Sequence, residues 1–259
     1  MKRRRTAWIG LAAALLAAAG WLGARAFAAA DAGFAPAAEF EKAKQAYDAG
    51  RMDESIRLYE EIAARGYRAP GLSFNLGNAY FRQGKTALAV LQYRTAWRGA
   101  PRDPDVAANL AFALQTAGAP APGTPMAHRL LRKVSRGEWA VVAAAGFWLS
   151  CALCGVLIWR RFAGEVLRRL LAVSAVALLA GLAGLLEWRS LDRQPEAVVK
   201  QPGQNARFAP LQNSTVYFAL PPGSIVRVEE RAEGWIKVAV EGKSGWLPES
   251  ACVAVRDEG

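Results

Sequence analysis

The sequence predicts a multidomain membrane protein that combines an all-α repeat solenoid, two transmembrane helices and a small all-β barrel. Three observations predict this fold class. Two apolar runs, residues 139–159 and 170–188, are each close to the roughly 20 residues that a helix needs to cross a bilayer. The region before them has helical periodicity and repeats every 34 residues. The region after them alternates β-branched residues with Gly and Pro turns.

Residues 1–30 have the pattern of a secretory signal. Residues 2–5 are basic, and an Ala/Leu-rich run follows and ends in the small residues 28–30. We prefer removal of this segment as the interpretation, and an uncleaved anchor is the alternative, because Trp21 and Leu22 lengthen the apolar run. In both cases we expect the chain to be exported from about Asp31 onward.

Residues 34–117 form the predicted helical domain. Gly50 aligns with Gly84 across one 34-residue period. The second repeat carries small residues where two helices would cross, aromatic residues between repeats and a proline after its last helix. These predicted repeat-packing residues are Leu76, Gly77, Tyr80, Ala89, Tyr93, Ala96 and Pro101. Their pattern resembles the tetratricopeptide repeat. The first repeat departs from it, with Ala43 and Ala46 where the family has Gly and Tyr, and a third leading helix follows the Asp103 cap candidate.

The tetratricopeptide resemblance implies a protein-binding concave face, which the first helix of each repeat lines. On this chain the predicted binding residues are Lys44, Asn75, Asn78, Arg82 and Asn109. Asn75 and Asn109 are one repeat apart, and amides spaced in this way can hydrogen-bond the backbone of an extended peptide. The alternative is that these residues form a solvated helix face.

A Pro/Gly and basic linker, residues 118–138, leads into the membrane hairpin. Its two spans enclose residues 160–169, which carry four arginines and are therefore predicted to be cytoplasmic. Arg132 and neighbouring basic residues on the opposite side weaken this contrast. Small residues recur at four-residue spacing in both spans, which allows the two helices to approach closely. They are Gly146, Ser150 and Cys154 in the first span, and the pairs Ala177–Gly181 and Ala180–Gly184 in the second.

Residues 196–259 contain five strand candidates, at 198–199, 216–218, 225–228, 235–240 and 252–255. The run from Pro222 to Pro248, with its Gly-Trp pairs at 234–235 and 245–246, is similar to bacterial SH3-type domains. This resemblance implies a peptide-binding or cell-wall-binding surface, for which the candidate residues are Tyr217, Trp235, Trp246 and Pro248. Structural packing is the preferred role of Trp235, because indole rings commonly fill small cores.

The charge distribution and the residue types argue against nucleic-acid binding and catalysis. The net charge is +11, and the excess lies in residues 1–30 and 127–195, which flank the predicted membrane segments. His128 is the only histidine, which excludes a multi-histidine metal site within one chain, and we expect it to be solvated. Glu187 is expected at the membrane interface. We predict no enzyme activity, no cofactor and no metal site.

The order of signal, helical repeats, hairpin and SH3-type domain resembles BatE-type proteins of the bacterial aerotolerance (Bat) operons. That resemblance implies an inner-membrane scaffold with both soluble domains in the periplasm, and partners that include von Willebrand factor A-type membrane proteins. The alternative function is attachment to peptidoglycan through the SH3-type domain. Nucleic acid is not an expected partner.

Overall fold

The computed structural model describes residues 34–123, 126–159, 164–193 and 195–255. The predicted signal segment and Arg160 and Arg161 of the predicted loop lie outside these ranges. From Phe40 onward the described residues belong to one compact unit. Its order is helical repeats, a helical hairpin and a β-sheet. The helices are α1 (Pro36–Asp48), α2 (Met52–Ala64), α3 (Pro70–Arg82), α4 (Thr86–Gly99), α5 (Pro104–Ala117), α6 (Met126–Arg132), α7 (Arg136–Trp159) and α8 (Glu165–Arg193).

Helices α1 to α5 reproduce the 34-residue period of the sequence. The leading helices α1, α3 and α5 begin at residues 36, 70 and 104, each with a proline in its first turn, where the missing N–H group costs no helical hydrogen bond. A Cβ atom on Gly77 would lie 2.8 Å from the ring of Tyr93, so only glycine allows α3 to approach α4 this closely. Ala89 and Ala96 are fully buried, as the repeat pattern predicts.

Two helix starts are capped by side chains. The Asp103 carboxylate accepts hydrogen bonds from the backbone N–H groups of Asp105 and Val106, at 2.9 and 3.2 Å, which confirms the predicted cap of α5. At the start of α7, the Ser135 hydroxyl accepts from the Glu138 N–H, and the Glu138 carboxylate accepts from the Ser135 N–H. This reciprocal pair is a capping box that the sequence analysis missed.

Helices α7 and α8 run antiparallel and pack backbone to backbone. A Cβ atom on Gly146 would lie 2.6 Å from the Leu178 nitrogen, and one on Gly181 would lie 2.6 Å from the Ala143 nitrogen. Gly146 and Gly181 of the predicted small residues therefore lie at the helix contact, whereas Cys154 is exposed. Ser150 also shares a 2.8 Å hydrogen bond with Ser174 on the facing helix.

Both hairpin helices are long and apolar enough to cross a membrane. They expose many large apolar side chains, among them Val141, Trp148 and Val173, which are each about two-thirds or more exposed. The core helix of a soluble protein would bury such side chains. Helix α8 begins at Glu165, so Arg168 and Arg169, which were expected in the connecting loop, belong to the helix.

The C-terminal part is a seven-stranded antiparallel sheet with the strand order β3-β2-β6-β5-β4-β1-β7. The strands are β1 (Glu196–Val199), β2 (Gln204–Arg207), β3 (Val216–Leu220), β4 (Ile225–Ala232), β5 (Trp235–Val240), β6 (Lys243–Pro248) and β7 (Cys252–Ala254), and a 3₁₀ turn (Glu249–Ala251) separates the last two. Five strands were expected. Strands β2 and β6 are the two that the five candidates do not include, and β2 was missed because its residues are polar.

The turn between β5 and β6 consists of Glu241 and Gly242. Both residues have positive φ, +49° and +79°, as a two-residue hairpin turn with the right-handed twist requires. The sheet core contains Ala197, Val199, Ala206, Leu220, Val226, Val228, Ile236, Val238 and Leu247. Trp235 is not part of this core. It alternates with Ile236 along β5 and lies half-buried on the opposite face, so its preferred role as a core residue was wrong.

Candidate functional sites

Some residues of the predicted concave face form hydrogen bonds between the helices of the repeats. The Asn78 side-chain oxygen accepts a 2.8 Å hydrogen bond from the Tyr93 hydroxyl and a 3.1 Å bond from the Asn109 amide. Asn78 therefore connects α3 to both α4 and α5. Asn75 is partly exposed, and Lys44 and Arg82 are exposed. The residues that remain accessible to a partner are chiefly Lys44, Asn75 and Arg82.

Aromatic side chains that the sequence analysis missed extend this face. The Arg82 guanidinium lies 4.8 Å from the centre of the Tyr47 ring. The rings of Phe81 and Phe112 lie 5.5 Å apart, and Phe112 is 59% exposed. The repeat period carried a signal for this set, because Tyr47 and Phe81 are 34 residues apart. The face thus offers cations and flat apolar surface together.

Three of the four predicted SH3-type site residues lie together. Trp235 is directly opposite Pro248 across β5 and β6, and Trp246 lies two residues along the same face, opposite Lys237 and Arg207. All three are half-buried, on the face of the sheet opposite the core. This surface combines two indole rings, a proline and two basic side chains, which suits a ligand with both apolar and acidic or hydrogen-bonding groups.

Tyr217 lies on β3, next to a different aromatic residue. Its ring centre is 4.4 Å from that of Phe208, which is 61% exposed and follows β2 directly. Phe208 was missed because it lies outside the strand candidates. Cys252 lies at the other edge of the sheet, where burial raises the pKa of its thiol to about 11 and keeps it protonated at neutral pH.

A buried ion pair joins the helical repeats to the sheet. The Arg94 guanidinium on α4 donates two 2.8 Å hydrogen bonds to the two carboxylate oxygens of Glu196 on β1. The two side chains are only 6% and 12% exposed. Burial opposes ionisation of Glu196, but the hydrogen bonds from Arg94, together with the charges of Arg94, Arg98 and Arg132, outweigh it, so the pKa of Glu196 lies below its ordinary value of 4.5.

A second buried carboxylate joins the linker helix to the hairpin. Glu187 on α8 is 7% exposed, and its two oxygens lie 2.6 Å from His128 Nδ1 and 2.8 Å from Arg132 Nε on α6. His128 was expected to be solvated; its side chain is 47% exposed, but it also contacts Glu187. The interfacial position expected for Glu187 stays a prediction, and the burial of its carboxylate against α6 is new. Sequence spacing carries no signal for this contact, because 59 residues separate His128 from Glu187.

The two ion-paired clusters line one cavity of about 420 Å³ where the repeats, the linker and the sheet meet. Its other walls include the 120–123 segment and residues 225–227 of β4. Across the part of the chain that the structure describes, no group of three or more His, Cys, Asp or Glu side chains is placed to hold a metal ion. Ion pairs therefore line the cavity at which these parts of the chain meet.

Residues 200–252 match the family model described as bacterial SH3 domain. The match covers β2 to β6 and the outer face that carries Trp235, Trp246 and Pro248. Searching the curated proteins returned no match for this chain. The chain therefore contains a bacterial SH3 domain, a module suited to binding proteins or peptidoglycan, which follows a set of helical repeats and two apolar helices.

Proposed function

We propose that the protein is a non-enzymatic inner-membrane scaffold of the bacterial envelope, which binds partner proteins through its helical repeats and its SH3 domain. Two binding modules that share one chain raise each other's effective concentration for a common partner. No enzyme activity is part of this proposal. The observation that carries it is the buried Arg94–Glu196 pair, which holds the two modules in one fixed arrangement.

The fixed arrangement favours a scaffold over two loosely tethered modules. Gly223, at the turn before β4, packs against Ala117 and Val90 of the repeats, where a Cβ atom would lie 3.0 Å from the Ala117 Cβ. Two modules held in this way present their surfaces at a constant distance. Such rigidity lowers the ordering cost of binding a partner that touches both.

We place both modules on the periplasmic side of a hairpin that crosses the inner membrane. The 160–169 arginines support a cytoplasmic loop. The opposing basic residue Arg132 weakens this argument less than its charge suggests, because Glu187 neutralises it. The N-terminal signal pattern supports export independently.

We interpret the helical repeats as tetratricopeptide repeats and their Lys44–Asn75–Arg82 face as the partner site. The repeat period and the Gly77–Tyr93 contact support this interpretation. The resemblance to BatE-type proteins suggests membrane proteins with von Willebrand factor A-type domains as partners. The exposed cations and the Phe81–Phe112 ring pair favour a partner segment that has both acidic and apolar side chains.

Crosslinking in intact cells, followed by purification of the tagged full-length protein, tests the scaffold. Asn75→Ala combined with Arg82→Ala should lose the partner, whereas Asn78→Ala is avoided because Asn78 also holds the helices together. Arg57→Ala is the matched control, since Arg57 is an exposed cation on α2. Undiminished partner recovery by the double variant would remove the repeat face from the proposal.

Attachment to peptidoglycan is the second candidate function, because the matched family suits it. Co-sedimentation of the detergent-solubilised full-length protein with purified peptidoglycan tests this function. Loss of sedimentation in Trp235→Ala, with retention in the Phe112→Ala control on the repeats, would favour attachment. Failure of the wild-type protein to sediment would leave the scaffold as the single function.

A further inference from the structure

The short helix α6 has its polar and apolar faces reversed relative to a helix in water. His128 and Arg132, four residues apart, both point at Glu187 on the hairpin. Met126 and Leu130, also four residues apart, lie on the opposite face and are 68% and 56% exposed. A surface helix in water normally buries its apolar stripe and exposes its charges. The reversed pattern fits an apolar environment outside α6.

The position of α6 is consistent with that environment. It contacts α8 at Glu187, which directly precedes Trp188, the last residue of the apolar run 170–188. At 1.5 Å per residue, this contact lies within about 2 Å of the end of that run. Interfacial helices lie at this level, with their apolar faces inserted at the boundary between headgroups and acyl chains.

Two tryptophans fix the connection around α6 at the same level. The Trp139 indole N–H donates a 2.9 Å hydrogen bond to the Leu131 carbonyl, and the Trp188 N–H donates a 3.0 Å bond to the Val134 carbonyl. Trp139 begins the first apolar run, and Trp188 ends the second. The bonds therefore hold the end of α6 and the turn that follows it at the level where the two apolar runs meet the linker and the sheet.

Two cations among the described residues lie near α6. Lys133 directly follows α6, and Arg189 lies two residues after Glu187 on α8; both side chains are exposed. Arg132, by contrast, is paired with Glu187. Exposed cations beside an apolar inserting face are the arrangement that binds anionic phospholipid headgroups.

We propose that α6 is an interfacial helix that inserts Met126 and Leu130 into the outer leaflet and binds anionic phospholipid headgroups through Lys133 and Arg189. This inference rests on the proposed membrane crossing of α7 and α8. The lipid-bound helix fixes the height of the linker above the membrane. Because residues of the linker, the repeats and the sheet meet around one cavity, it also fixes the height of the repeats and the sheet.

Spin labels on the full-length protein in vesicles test the inference. Single cysteines replace Leu130, Val176 or Phe112 in a background with Cys151, Cys154 and Cys252 changed to Ala. Val176 is an exposed hairpin residue and reports on membrane crossing, whereas Phe112 is an equally exposed apolar residue on the repeats and serves as the matched control. Each label is measured for collision with oxygen, which enriches in lipid, and with a water-soluble nickel chelate.

We expect the Leu130 label to favour oxygen, as the Val176 label does, and the Phe112 label to favour nickel. The Leu130 label should lie deeper in vesicles of equal parts phosphatidylcholine and phosphatidylglycerol than in vesicles of phosphatidylcholine alone. Combining Lys133→Gln with Arg189→Gln should remove that difference. A nickel-accessible Leu130 beside a lipid-buried Val176 would overturn the inference alone. A nickel-accessible Val176 would overturn the membrane crossing itself. Depth that is independent of lipid charge would refute the headgroup contact.

Discussion

The helical repeats and the apolar hairpin both use glycine to bring two helices close together, but they expose opposite kinds of side chain. In the repeats, Gly77 receives the Tyr93 ring; in the hairpin, Gly184 lies against the Trp139 ring. The repeats bury aliphatic side chains and expose charges. The hairpin exposes Val and Leu side chains and buries Ser174 and Glu187. Glycine therefore sets helix spacing in both regions, and the surroundings decide which side chains may face outward.

The repeats and the hairpin are each joined to another segment through a buried carboxylate. Glu196 of the sheet receives a bidentate arginine from the repeats, whereas Glu187 of the hairpin is shared between a histidine and an arginine of the linker. Both carboxylates are charge-compensated, because an unpaired buried carboxylate is expensive in protein and lipid alike. Ion pairs therefore join the repeats to the sheet and the linker to the hairpin, and the contact of Gly223 with Ala117 adds apolar packing between repeats and sheet.

Breaking the repeat–sheet pair should have the largest effect. Glu196→Gln leaves the Arg94 charge buried without its counter-charge, which is expected to cost about 3 to 5 kcal/mol of unfolding free energy. Urea unfolding of the detergent-solubilised protein, followed by circular dichroism, measures it. Glu54→Gln is the control, because the Arg51–Glu54 pair is exposed and should contribute less than about 1 kcal/mol. Equal losses in the two variants would contradict the importance of burial.

The same pair should make stability depend on pH in acid. The folded-state pKa of Glu196 lies below 4.5, so its contribution is complete above about pH 4.5 and is lost as the pH falls through the folded-state value. The wild-type protein should therefore lose stability more steeply below pH 4.5 than Glu196→Gln does. Parallel pH profiles for the two proteins would show that other carboxylates dominate.

Adding a large side chain at the contact between the two hairpin helices should have the next largest effect on stability. Gly181→Leu places a Cβ atom 2.6 Å from the Ala143 backbone nitrogen, which cannot move without displacing α7. We expect a loss of about 3 kcal/mol, at the upper end for overpacking. Thermal unfolding in detergent measures it. Gly155→Leu is the matched control, since nothing lies within 4 Å of its added Cβ, and a comparable loss there would refute the close-contact argument.

The equivalent change in the repeats should be milder. Gly77→Ala brings a methyl group to 2.8 Å from the Tyr93 ring, and a ring shifts more easily than a backbone, so we expect about 1 to 3 kcal/mol. Gly71→Ala lies in the same helix in open space and should be neutral or stabilising by up to about 1 kcal/mol. Urea unfolding distinguishes the pair. A stabilising Gly77→Ala would show that the contact is looser than the structure indicates.

Removing a helix cap should have the smallest effect, and the repeats and the hairpin each have one cap that can be tested separately. Asp103→Ala leaves the Asp105 and Val106 N–H groups to water and is expected to cost about 1 kcal/mol. Ser135→Ala should cost a similar amount in the hairpin, where it removes half of the capping box. Circular dichroism in urea measures the first, and thermal unfolding in detergent measures the second. An unchanged midpoint for Asp103→Ala would contradict the role of the cap.

Much of the fold could be predicted because its signals are local. The Asp103 cap and the small residues of the hairpin follow from residues a few positions apart, and the 34-residue period follows from comparing one repeat with the next. Strand β2 escaped prediction because its polar residues show no alternation, and Trp235 was misplaced because an indole suits both faces of a small sheet. The Ser135–Glu138 capping box was present in the sequence and was overlooked.

Some residues of the candidate sites could likewise be predicted from the sequence, and others only become apparent in the fold. Trp235, Trp246 and Pro248 were predicted from the resemblance to SH3-type domains, and the structure places them on adjacent strands of one hairpin. Asn78 was predicted as a binding residue, and its bonds to Tyr93 and Asn109 emerge only when three helices are placed. Phe208 becomes visible only through its contact with Tyr217, which depends on the register of β2 and β3.

The sequence by itself determined that the chain has helical repeats, two long apolar helices and a small β domain, because periodicity and hydropathy act over short distances. Only the tertiary structure decided how these parts are joined. Arg94 and Glu196 are 102 residues apart, and nothing in either local sequence identifies the other. A buried charge needs a partner at contact distance, and which partner it meets depends on how the whole chain packs.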